Sequence, residues 1–192
     1  HFLMANEKPQ IERLAKMAAE IWNEYWPAII GQDQTDYMVE QFQTAEAMER
    51  DIVEHRYQYW ILEDDEGKTI GYTGGAIERM TGNAEHDAAI HHSDVVDNTW
   101  PELMFISKIY LYKQERGKHY ASRVIEFYED LCRQEGLPMM YLTVNRDNEL
   151  GVRAYAGRGF KTVEEVDNPI GHGYFMTDYI MIKEVQKPFI DA

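Results

Sequence analysis

The segment Arg116-Gly117-Lys118-His119-Tyr120-Ala121 lies where an apolar run, Phe105 to Tyr112, gives way to an amphipathic stretch. A short basic loop that opens a helix suits a phosphate. The first N–H groups of a helix have no partner within it, the helix dipole is positive at that end, and Arg and Lys add charge. Farther along come Asn145-Arg146-Asp147-Asn148, then Tyr155, then Gly159-Phe160. Together these segments point to a coenzyme that carries phosphates and to a reaction that needs a proton donor.

The chain has a formal net charge of −15, which argues against a general nucleic-acid binder, since that needs a basic face. The same negative field would concentrate cationic substrates, although plain solubility is the simpler account of charge alone. Within this acidic chain Lys108, Lys113, Arg116, Lys118 and Arg123 stand against one acid, Glu115. Such a basic island at a helix start reads as an anion site. Cys132 is the only cysteine; that excludes an internal disulfide and a cysteine zinc cluster, and fits a reducing cytoplasm. It falls on the apolar face of a helix and reads as a buried structural thiol. No apolar run reaches the roughly 18 residues of a membrane span. His1-Phe2-Leu3-Met4 lacks the features of a signal peptide, and Met4 reads as a natural start.

The elements that must position these residues follow from periodicity. Ile11, Leu14, Ala15, Ala18, Ile21, Trp22 and Tyr25 recur at helical steps, which predicts a helix over 9–26 ended or bent by Pro27. A loop over 28–32 precedes a second helix reaching about His55, with Asp33 or Thr35 as N-cap and Met38, Phe42 and Ile52 inward. Tyr57–Leu62 and Thr69–Glu78 read as strands joined by a hairpin turn over 64–68. Gly71, Gly74 and Gly75 in the second strand suggest a bulge or a close backbone approach. Residues 79–100 read as an irregular insertion, in which His86, His91 and His92 with Asp87 and Asp94 match no defensible metal spacing. Then follow a strand over 103–112, a helix over 120–135 stopped by Gly136 and Pro138, and a buried strand over 139–144. A short helix over 148–156 and strands over 160–166 and 174–184, joined by 168–173, complete the set. The tail after Gln186 reads as loose. The order α-α-β-β-(insertion)-β-α-β-α-β-β predicts an α/β fold, a mixed central sheet with flanking helices in one domain over 5–185.

This order and these segments resemble the GNAT superfamily of N-acetyltransferases. The family's acetyl-CoA loop follows Arg/Gln-x-x-Gly-x-Gly/Ala; Arg116 and Ala121 match it, and His119 stands where the family has glycine. A second feature, Asn-x-x-Asn-x-x-Ala-x-x-x-Tyr-x-x-x-Gly-Phe, is matched by Asn145, Asn148, Tyr155, Gly159 and Phe160, with Gly151 in place of alanine. The leading helices and the stretch from Gly171 to Tyr179 also resemble bacterial members that acetylate small amines, including polyamine acetylases.

The resemblance implies acetyl-CoA as co-substrate and direct transfer to an amine. It implies that backbone N–H groups near Leu111, flanked by Ile109 and Tyr110, polarise the thioester carbonyl. It further implies that Arg116, Gly117, Lys118, His119, Tyr120, Ala121 and Ser122 hold the pyrophosphate. Asn148 would meet the pantetheine, cap the short helix, or both. Tyr155 would be the general acid, unless it is a core tyrosine beside Phe160. Some members carry a glutamate base where this chain has Ser107. Glu102, Glu78, Asp178 and His172 are substitutes acting through water, though each also reads as a solvated surface group. Trp22, Tyr25, Trp26, Tyr174 and Met176 could line an acceptor site for an ammonium or polyamine, or simply pack. Expected partners are acetyl-CoA and a small amine, with a homodimer as one assembly open to the chain. The rival readings are a CoA-binding sensor or interaction protein of the same fold, and acetylation of a protein N-terminus.

Overall fold

The computed structural model describes residues 1–83, 85 and 102–185. The insertion's histidines and the tail after 185 lie outside them. Among the described residues no group of three or more His, Cys, Asp or Glu could hold a metal, and no helix is long and apolar enough to cross a membrane.

In chain order the elements are β1 (Phe2–Met4), α1 (Lys8–Tyr25), α2 (Pro27–Ile30), α3 (Gln32–Phe42), α4 (Ala45–Glu54), β2 (Gln58–Glu63), β3 (Thr69–Arg79) and β4 (Glu102–Leu111). A 3₁₀ turn (Lys113–Glu115) leads to α5 (Tyr120–Glu135), β5 (Met139–Asn145), α6 (Glu149–Gly157), β6 (Lys161–Gly171) and β7 (Tyr174–Glu184). The strands form one seven-stranded sheet in the order β1-β2-β3-β4-β5-β7-β6. It is mixed: β4 and β5 run parallel, whereas β5–β7 and β6–β7 are antiparallel. By contacts the chain forms two compact units, the first from 1–76 with 107–124 and the second from 77–106 with 125 onward.

In the first unit, α1 begins with a capping box, Glu7 with Gln10, and Pro9 in its first turn. It buries Ile11, Leu14, Met17, Ala18, Ile21 and Trp22. The expected loop over 28–32 is instead the short helix α2, closed by Gly31 at φ 85°. The expected single helix to His55 is two, because Thr44 accepts a hydrogen bond from the Ala47 N–H at 3.2 Å and caps a new helix. Phe42, expected inward, is 38% exposed at the end of α3. The β2–β3 hairpin turns at Asp64, whose carboxylate accepts from the Glu66 and Lys68 N–H groups.

Helix α5 has the expected bounds, with 120–124 in the first unit and 125–135 in the second, where it buries Ile125, Tyr128 and Cys132. Gly136, at φ 70°, ends it, and the Leu137 N–H returns to the Cys132 carbonyl at 2.8 Å. Strand β5 is buried through Leu142 and pairs with β4 only from Met104↔Met140 to Ile106↔Leu142. The connection expected over 168–173 is far shorter. β6 runs through Pro169 to Gly171, and the turn is His172-Gly173, both with positive φ, the two-residue geometry that matches strand twist.

Candidate active site

The residues expected to bind the coenzyme fall mainly in the first unit: Ile109, Tyr110 and Leu111 end β4, and 112–119 lead into α5. Two left-handed residues shape that loop, Gly117 at φ 77° and His119 at φ 64°. His119 therefore adopts the backbone conformation that glycine takes most readily, at a cost of roughly 1 kcal/mol for a residue with a Cβ. The departure at this position changes the side chain and keeps a glycine-like turn. Left-handed residues spaced in this way, ahead of a helix N-terminus, expose N–H groups in a concavity that suits an anion. Gly117 faces open space. These residues fit a pyrophosphate.

The cations of this loop are not equivalent. Arg116 donates from Nε to the Leu111 carbonyl at 3.2 Å and lies over the Tyr25 ring, 4.5 Å from its centroid. Lys118 donates to Glu115 at 3.0 Å, and Lys68 pairs with the same carboxylate. These two lysine contacts hold the Glu115 carboxyl below its ordinary range. Glu115 is buried, and its carboxylate is paired with both lysines.

Lys108 leaves the basic island altogether. Its side chain is 9% exposed, and its ammonium donates to the Tyr59 hydroxyl at 2.6 Å with Asp51 Oδ2 3.5 Å away. Tyr59 donates in turn to Asp51 at 2.7 Å. Burial lowers the Lys108 pKa against the opposing pull of Asp51, and burial with Asp51 raises that of Tyr59. Gly74 makes this network reachable. It sits opposite Tyr59 in the β2–β3 register, and a Cβ there would meet the ring at 2.8 Å. The ring thus crosses β3 to reach β4. Gly71 is the other close approach, its would-be Cβ 2.1 Å from the Tyr110 carbonyl oxygen. Sequence reasoning could not see the burial of Lys108, because both partners are remote in the chain.

The aromatic residues expected near the acceptor divide between the units. In the first, Trp22 lies tilted against Trp26 at 5.3 Å and edge-on to Tyr110 at 5.4 Å, and its indole N–H donates to Tyr72 at 3.1 Å. Tyr25 meets Trp26 edge-on at 5.2 Å. Tyr174 and Met176 are half-buried on β7 in the second unit.

The second unit also holds Asn148 and Tyr155. Asn148 caps α6, accepting from the Gly151 N–H at 3.1 Å. A Cβ at Gly151 would meet the Asn148 amide at 2.6 Å, so glycine here leaves that side chain room. Tyr155 lies edge-on to Phe160 with ring centroids 6.0 Å apart. The substitute bases are not alike. Glu102 is a half-exposed partner of Arg79 at 3.0 Å, and His172 sits in the hairpin turn. Glu78 and Asp178, expected on the surface, are buried; Glu78 accepts from the Tyr141 hydroxyl.

Burial pushes the Asp178 carboxyl up to about 6, with Arg146 opposing. Its folded pKa thus exceeds the unfolded one. The stability this confers is full below about pH 4 and is lost as pH rises through 6, about 3 kcal/mol in all. Asp178→Asn should remove this term. Urea unfolding of wild type and variant between pH 4 and 7 should show their difference changing by most of that amount; a constant difference would refute the shift.

A sequence model described as the Acetyltransferase (GNAT) family matches residues 16–160. No curated protein sequence matches the chain. Among solved structures, the chain is similar to the PaiA N-acetyltransferase of Thermoplasma acidophilum in complex with coenzyme A. The two are 17% identical with a TM-score of 0.66, over 96% of this chain and 99% of that one. It is also similar to Arabidopsis thaliana NAA60 in complex with a bisubstrate analogue (14%, TM-score 0.62, 92% and 95% covered). A mutant of the Vibrio cholerae spermidine N-acetyltransferase SpeG is a further neighbour (16%, TM-score 0.58, 96% and 92% covered).

Proposed function

Because the chain belongs to the GNAT family of acetyltransferases, and so is an N-acetyltransferase with acetyl-CoA as co-substrate, we propose that it acetylates a small cationic primary amine by direct transfer. The observation that carries this reading is the loop before α5, with its left-handed Gly117 and His119 and its Arg116. Acetyl-CoA supplies an acyl group already joined to a thiol leaving group. Residues 117–122 with Arg116 would hold its pyrophosphate, and Asn148 would meet the pantetheine beyond its capping bond. Backbone N–H groups of Ile109, Tyr110 and Leu111 would face the thioester carbonyl, where donors aimed at developing negative charge favour attack. Tyr155 would protonate the departing sulfur.

Direct transfer is favoured because the one thiol is unsuited to carry an acyl group. Cys132 is buried, and burial pushes its pKa up to about 12, so almost no thiolate forms at neutral pH. A cationic acceptor agrees with the net charge of −15. One structural neighbour is a spermidine N-acetyltransferase, and spermidine has the same character.

The test is calorimetric titration with acetyl-CoA, followed by CoA release with a panel of polyamines, amino sugars, amino acids and N-terminal peptides. Micromolar binding with release for polyamines is expected. Release only with N-terminal peptides would replace the small-amine reading, and binding without any release would favour a sensor. Arg116→Ala should weaken acetyl-CoA about tenfold, the scale of one charge-assisted contact. Unchanged affinity in that titration would remove Arg116 from the site.

A further inference from the structure

The acceptor arrives as an ammonium ion, and the loop before α5 and Tyr155 provide nothing to take its proton. We propose that Asp178 is that proton acceptor, taking the first proton of the ammonium through one water molecule. The inference rests on the acetyl-transfer reading above.

Asp178 lies in β7, opposite Asn145 of β5 and Val166 of β6, and is 3% exposed. Its side chain alternates onto the same face of the strand as Ile180 and Ile182, both buried. Among the described residues its carboxylate has neither a hydrogen-bond donor nor an ion-pair partner. Arg146, which follows β5 and whose charge acts on Asp178, is turned to Glu165 and Asp167 of β6 instead. A carboxylate so nearly buried, without an ion-pair partner, is costly. An apolar side chain would suit this strand position better, so the acid is what needs explaining.

Its surroundings supply the explanation. Asn145, its cross-strand partner, starts the turn into α6: the Asn145 side chain accepts from the Asp147 N–H at 2.9 Å, and its carbonyl accepts from the Asn148 N–H at 3.0 Å. Asn148 caps the helix that carries Tyr155. The strand, turn and helix that begin at Asp178's cross-strand partner thus carry Tyr155. The other substitutes fit less well, since Glu78 already accepts from Tyr141 and Glu102 pairs with Arg79. A carboxyl pushed up to about 6 is ionised at neutral pH yet binds a proton far better than an exposed aspartate. The charged groups around it are Arg146 from β5, with Glu165 and Asp167 from β6 beyond that arginine.

The proton balance closes. The ammonium gives one proton through water to Asp178, which returns it to solvent. The neutral nitrogen forms a C–N bond to the acyl carbon as the C–S bond breaks. The sulfur takes the Tyr155 phenol proton, and the second proton leaving nitrogen restores the phenol.

Asp178→Asn keeps the shape of the side chain and removes its basicity. With the best amine at pH 7, kcat/KM should fall about 100-fold, the usual scale for a general base, while calorimetric acetyl-CoA affinity stays unchanged. The wild-type profile should rise to a plateau above pH 6, whereas the variant's rate should keep rising as free amine accumulates. Independently of turnover, a carboxyl-carbon NMR titration of the protein alone should show one aspartate with a midpoint near 6, absent from the variant. If Asp178→Asn does not fold, Asp178→Glu serves instead and should move the midpoint of the acid limb. A variant with the wild-type pH profile, or an Asp178 that titrates like an exposed carboxylate, overturns the proposal alone. Wild-type protein that releases no CoA with any amine overturns the transfer reading, and this proposal with it.

Discussion

Tyr155→Phe should lower kcat about 100-fold while acetyl-CoA affinity changes less than about twofold. General acid catalysis contributes about 10²–10⁴-fold, and 100-fold is about 3 kcal/mol of transition-state stabilisation. The substitution removes one oxygen and keeps the ring, which lies edge-on to Phe160 at 6.0 Å. The fold should therefore survive, and the melting temperature serves as control. An interaction made only in the transition state lowers kcat and kcat/KM together. Steady-state kinetics with varied amine at saturating acetyl-CoA separates this from a binding defect. Unchanged kcat would leave Tyr155 as a packing residue beside Phe160.

Gly71→Ala should destabilise the protein by about 3 kcal/mol or more, beyond the usual overpacking cost, because nothing nearby can yield. The new Cβ would lie 2.1 Å from the Tyr110 carbonyl oxygen and 3.0 Å from the Leu111 Cα, both backbone atoms. Relief requires β3 to move from β4. That shift would displace residues 110–111, so any folded fraction should also lose turnover. Gly74→Ala is the instructive comparison, since its Cβ would meet a side chain, the Tyr59 ring, at 2.8 Å. Urea midpoints should rank Gly71→Ala below Gly74→Ala and both below wild type. A Gly71→Ala midpoint equal to wild type would show that the strands accommodate the methyl.

Local signals were read best. The bounds of α5 follow from its apolar stripe and from Gly136 and Pro138, all close in sequence, and the β2–β3 turn follows from Asp64 to Lys68. The loop before α5 was legible for the same reason. The split at Thr44 was not, because Met38 and Ile52 keep a helical period across a cap that depends on one side-chain bond. Strand β1 was too short to show a period; its register, Phe2↔Leu62 to Met4↔Trp60, comes wholly from its partner. Long-range burial was least visible. Lys108 falls into the basic island on sequence because its partners Tyr59 and Asp51 come from β2 and α4, and Asp178 looks solvated because its burial comes from β5 and β6.

The Tyr59 side chain also works as a check on assembly. In a strand, successive side chains face opposite sides, so a one-residue slip of β2 against β3 would carry the ring away from Gly74. It would leave the buried Lys108 ammonium without the hydroxyl that it donates to and that joins it to Asp51, and an interior ammonium short of a partner is heavily penalised. The penalty falls on the misaligned chain alone. A network that adds little to the depth of the native well can thus widen the gap to its nearest competitor, and the four elements it spans can close on it only when all are in register.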